Sequence, residues 1–76
     1  MKNESKFRVI AAGSQTDLEN SGADVESFQD TLKEAKTRAR YYLTDEYRVA
    51  SEATQRLGYS QVIRISTNEI VADFFA

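Results

Sequence analysis

The chain of 76 residues contains no cysteine, no histidine and no proline, and only three glycines. Without cysteine there is no disulfide and no thiolate ligand. Without histidine the commonest metal ligand and the usual general base are missing too. A domain this small buries only about 60–65% of the surface its unfolded chain exposes, so its core is thin. Domains below about 80 residues commonly lean on a disulfide, a metal or a partner subunit. What remains here is close packing or association.

Long apolar runs are also lacking. Met1–Lys6 is polar, and Val9–Ala12 is too short for the apolar region of a signal peptide. Nothing approaches the roughly 20 apolar residues of a membrane span. The triplet Asn3-Glu4-Ser5 matches a glycosylation acceptor, but no secretory feature accompanies it. The absence of cysteine fits a reducing interior. The expectation is a soluble, cytoplasmic protein with no membrane association.

Catalytic constellations are equally scarce. Asp45 and Glu46 are adjacent, so on a helix their side chains diverge, and the serines have no histidine to activate them. Gly13, Gly22 and Gly58 are scattered, which excludes a glycine-rich phosphate loop. Asp17-x-Glu19-x-Ser21-Gly22 resembles the start of a calcium loop, but the twelfth position is Phe28 where a bidentate glutamate is needed. We therefore expect no enzyme, no catalytic residue, no metal, no cofactor and no small-molecule ligand.

The residues that are present form an α+β pattern over one domain, 1–76, with 1–5 as a frayed polar tail. Lys6–Ala12 alternates, with Phe7, Val9 and Ala11 on one face and Arg8, Ile10 and Ala12 on the other, which reads as a strand ended by Gly13. Ser14–Asp24 is rich in turn-forming residues and reads as a surface loop. Val25–Phe28 is a short extended piece suited to pair with the first strand.

Thr31 with Glu34 three residues on forms a capping-box signature, with Ser27 and Asp30 as an earlier alternative. Leu32, Ala35, Ala39, Tyr42, Leu43, Tyr47, Ala50, Ala53 and Leu57 then recur at helical spacing, and Gly58 stands as the C′ residue with Tyr59 beyond it. Glu34/Arg38, Arg48/Glu52 and Glu52/Arg56 are spaced for ion pairs along this helix. A helix from Leu32 to Leu57 is about 39 Å long, whereas the seven-residue strand it must cover is about 23 Å. Either it breaks near Thr44-Asp45, or it overhangs onto a second copy, or the long loop folds beneath it. With no glycine or proline to force a break, propensity favours one continuous helix.

Two β-type runs close the chain, Gln61–Ser66 and Glu69–Phe75, with Thr67-Asn68 as a two-residue turn. In that register Arg64 opposes Val71 and Ile63 opposes Ala72. One face then carries Ile63, Ile65, Ile70, Ala72 and Phe74 against the helix. The opposite face carries Val62, Arg64, Glu69, Val71, Asp73 and Phe75. Expected core residues are Phe7, Val9, Leu32, Ala35, Ala39, Leu43, Ala50, Leu57, Ile63, Ile65, Ile70 and Phe74.

Two surfaces are candidates for function. Val62, Arg64, Val71, Asp73 and Phe75 interleave apolar and charged side chains on the outer hairpin face, as a contact surface does. Lys33, Lys36 and Arg40 share a helix face with Tyr41 nearby, a cationic and aromatic mixture able to hold phosphates and stack bases. The net charge of −2 carries no overall basic excess, whereas nucleic-acid modules usually show a basic domain or stripe.

Phe28-Gln-Asp-Thr-Leu-Lys-Glu-Ala-Lys and the closing Glu69-Ile-Val-Ala-Asp-Phe-Phe resemble a pattern common in very small uncharacterised single-helix bacterial and phage proteins. The resemblance implies a plain α+β fold and a bacterial or phage origin. It covers fold-determining positions and transfers no functional residue.

The resulting expectation is an antiparallel sheet of three to four strands with one long helix packed on one face and a C-terminal β-hairpin. Its function is that of a non-enzymatic protein-interaction or regulatory module, homodimeric or bound to another protein. The alternative is a nucleic-acid-associated accessory protein using the basic helix face.

Overall fold

The first strand organises the molecule because both of its faces are apolar. In the computed structural model, which describes residues 5–76, β1 (Phe7–Ala12) is an inner strand, buried at all but Arg8. It pairs antiparallel with β2 (Val25–Gln29) on one side and β3 (Tyr59–Arg64) on the other, and β4 (Glu69–Phe75) completes the order β2-β1-β3-β4. The expected tail at 1–5 lies, except for Ser5, outside the described residues.

One face of the sheet is covered by α2 (Leu32–Tyr41). Phe7, Val9 and Ala11 of β1, Val62 of β3, and Ala35, Ala39 and Tyr42 from the helical layer form the core. Small alanines on the buried helix face let helix and sheet approach closely. Thr31 caps α2 as its sequence suggests, its hydroxyl accepting from the Glu34 amide at 3.1 Å.

The expected single long helix is not what forms. The chain leaves α2 at Tyr42 and starts α3 (Asp45–Ala50), with Thr44 between them as a cap. The Thr44 hydroxyl donates to the Tyr41 carbonyl at 2.7 Å and accepts from the Tyr47 amide at 3.1 Å. It therefore closes one helix and opens the next, which resolves the mismatch between helix and sheet lengths. The break also lets Tyr42 and Leu43 both turn into the protein.

The Schellman end expected at Gly58 lies instead at Glu52. The Ala53 amide bonds the Arg48 carbonyl and the Glu52 amide bonds the Val49 carbonyl, with Glu52 left-handed at φ 61. Gly58 serves close approach: a Cβ there would sit 2.3 Å from the Gly13 carbonyl oxygen. Ala50 is consequently exposed.

The expected loop at Ser14–Asp24 contains α1 (Gln15–Ser21), capped by Ser14, whose hydroxyl accepts from the Asp17 amide at 3.0 Å. α1 buries no residue, which is why no apolar stripe announced it.

The hairpin register also differs. Arg64 pairs with Glu69 across a four-residue turn, 65–68, and Asn68 takes a left-handed φ of 60. A bulge at Val71 then shifts the register, so Ile63 opposes Ile70 but Val62 opposes Ala72. One extra residue flips the side chains beyond it to the other face. Ala72 and Phe74 stay on the helix side, as expected, beside Val62 and Ser60. Ile63 and Ile70 lie on the outer side, and Ile65 sits exposed in the turn.

Candidate functional site

The outer face of the sheet can be built row by row from the strand pairing. Phe28, Arg8, Ile63 and Ile70 form one row; Glu26, Ile10, Gln61 and Asp73 the next; Ala12, Tyr59 and Phe75 the third. The middle strands supply a buried floor of Ile10, Ala12, Ile63 and Tyr59. The edge strands leave Phe28 at 46%, Ile70 at 53% and Phe75 at 64% exposure. Apolar side chains thus stand in water at three corners of one surface.

Polar groups on this face are fixed in place. Arg8 Nε donates to Glu26 Oε2 at 2.5 Å. The Tyr59 hydroxyl donates to Asp73 Oδ2 and accepts from Gln61 Nε2, both at 3.0 Å, while its ring lies 4.9 Å from that of Phe75. Burial holds the Tyr59 phenol above its ordinary pKa, and the Asp73 and Glu19 carboxylates push the same way against the Gln61 hydrogen bond. α1 begins just past Ala12, the strand partner of Tyr59, at that end of the sheet.

Of the five hairpin residues predicted to form a contact surface, Asp73 and Phe75 lie here. Val62 is 0% exposed on the helix side. Val71 packs against the core from the bulge. The Arg64 guanidinium lies 5.4 Å from the Phe7 ring centre, also on the helix side. The five therefore do not share a surface. Phe28, Ile70 and Arg8 take the missing places, and strict alternation along β1 already assigned Arg8 to this side.

A second feature lies between α2 and the β2 edge. An open groove of about 790 Å³ is lined by Gln29, Thr31 and, from α2, Lys33, Glu34, Thr37, Arg38 and Tyr41. The Arg38 guanidinium rests 5.4 Å over the Tyr41 ring and 5.9 Å from the Tyr42 ring. Tyr47 of α3 meets both rings edge-on, at 5.3 and 4.9 Å. Burial, and then its tyrosine neighbours, hold the Tyr47 phenol above its ordinary pKa.

Lys33 and Tyr41, two of the four residues predicted as a basic patch, share this groove. Arg40 leans the other way, 4.8 Å from the Phe74 ring centre, and Lys36 is half-buried four residues before it. Arg38 was missed because its spacing from Glu34 suggested an ion pair that does not form. Among the described residues the ion pairs are Arg8–Glu26 and Asp45–Arg48, so none of the four cations of α2 is held in one. Arg48 bonds Asp45 at 2.6 Å in place of Glu52 and holds that carboxyl below its usual range.

Among the described residues no three His, Cys, Asp or Glu side chains are grouped to hold a metal ion, and no helix is long and apolar enough to cross a membrane. Comparison with protein-family models, with curated proteins and with solved structures finds no match, so the likeness to small bacterial and phage proteins rests on the sequence pattern alone.

Proposed function

We propose that the protein is a non-enzymatic interaction module that docks another protein chain on the outer face of its sheet. The observation that carries this reading is the exposure of Phe28, Ile70 and Phe75 on one sheet face, above a floor that is already buried. Exposed apolar side chains gathered on a small domain mark contact surfaces. A thin-cored domain also gains stability by mass action from any partner that binds only the folded state.

Charge selects the kind of partner. Glu26 and Asp73 outnumber Arg8, the one cation in the three rows of the face. Stacking two copies face to face doubles that negative excess, and like charges brought together disfavour the contact. The face fits a different chain that presents apolar and basic side chains together.

A photo-crosslinking side chain at position 28 or 75, introduced in the cell that makes the protein, tests this. The expected product joins this chain to a second, basic protein, and the purified pair binds with an affinity lost in Phe28→Ser. Crosslinks only between copies of this chain would turn the reading into self-association. Binding by the purified pair that is indifferent to Phe28→Ser would remove the sheet face from the account.

A further inference from the structure

We infer that the groove between α2 and the β2 edge binds single-stranded nucleic acid, with one unstacked base lying on the Arg38 guanidinium and phosphates meeting Lys33. This inference is independent of docking on the sheet, because the groove lies beside the helix that covers the opposite face.

Four observations converge on it. The groove's volume of about 790 Å³ falls within the range of roughly 300–1,000 Å³ typical of small-ligand sites, large enough for a nucleotide unit. Its cations, Lys33 and Arg38, form no ion pair among the described residues. The Arg38 guanidinium carbon lies 5.4 Å from the Tyr41 ring centre, a contact that keeps this planar cation at the groove, where a base can stack on it. Gln29, Thr31 and Thr37 add an amide and two hydroxyls at the same site, groups able to hydrogen-bond a base edge.

Glu34 refines the ligand. As the one carboxylate in the lining it repels a phosphate placed beside it, and it can accept a hydrogen bond from the amino group of a base. A compact polyanion or an acidic peptide uses the cations and gains nothing from the stacked arginine or the amide. A duplex keeps its bases stacked and cannot offer one to Arg38.

Fluorescence anisotropy of the full chain with a short labelled single-stranded oligonucleotide at low salt provides the test. The expected result is saturable binding whose affinity falls with salt at a log–log slope of about −0.7 per phosphate contacted. Lys33→Gln should reduce that slope by about 0.7. Arg38→Lys keeps the charge but loses the plane, and should weaken binding at least about 5-fold, the lower end of what stacking one base is worth. Phe28→Ser should change nothing here, which separates failure of this site from failure of the sheet-face reading. No binding at low salt overturns the inference. So does equal affinity for heparin, polyglutamate or duplex with Arg38→Lys silent, since that result describes a mere cationic surface.

Discussion

The Ser60 hydroxyl of β3 donates to the Ala39 carbonyl oxygen of α2 at 3.0 Å, and both residues are wholly buried. In a longer helix that carbonyl would be taken by the Leu43 amide, but Leu43 bonds the Arg40 carbonyl instead. Ser60 thus satisfies an orphan helix-end acceptor inside the core. Ser60→Ala leaves it without a partner and should cost about 1–3 kcal/mol, the desolvation penalty of a buried polar group. Urea denaturation measures this. A loss well under 1 kcal/mol would mean that the carbonyl finds another donor.

The helix break makes two opposed predictions. Thr44→Ala removes a cap and should destabilise by about 1 kcal/mol, within the usual 0.5–2. Glu52→Gly should stabilise by roughly 0.5–1 kcal/mol, because the left-handed conformation costs an L-residue roughly 1–2 and glycine returns part of that as chain entropy. If Thr44→Ala instead raised both helicity and stability, α2 and α3 would be one helix.

Gly22 has φ 86 and ψ −176, a region reserved for glycine, although open space surrounds its missing Cβ. Gly22→Ala should therefore lose about 1–3 kcal/mol through backbone strain alone. Thermal unfolding of the variant checks it. An unchanged midpoint would show that the turn into β2 is free to relax.

Stability should be level from neutral pH to about 10 and fall above it. Burial leads the causes that raise both the Tyr59 and Tyr47 phenols, so the fold favours their protonated forms. For groups with a raised pKa the stabilisation is complete below the unfolded value of about 10 and disappears as pH rises through the folded value. Tyr59→Phe should shallow this alkaline decline, whatever it does to stability at neutral pH. Urea midpoints across the alkaline range that showed no decline would contradict the burial of these hydroxyls.

The sequence conveyed the start of α2 because Thr31 and Glu34 act locally. It did not convey the end, because Thr44 disfavours a helix interior only mildly and its two hydrogen bonds depend on the neighbouring turns. The central position of β1 follows from its two apolar faces. The bulge at Val71 left no trace in Ile70-Val71-Ala72, where any residue fits a strand, and that one insertion dispersed the predicted hairpin surface. In the groove, Lys33 and Tyr41 were readable from helical spacing. Arg38 was hidden by a spacing rule that paired it with Glu34, whereas the rings of Tyr41 and Tyr42 hold it.

The claim on which the functional account turns is that Phe28 and Ile70 serve a partner and not the fold. Binding of the crosslinked partner, remeasured with the double variant Phe28→Ser/Ile70→Ser beside its urea midpoint, tests this directly. The account predicts that binding is lost while stability changes by about 0.5 kcal/mol per site or less, as for ordinary surface positions. Retained affinity, or a collapse in stability like that of a core residue, would contradict it.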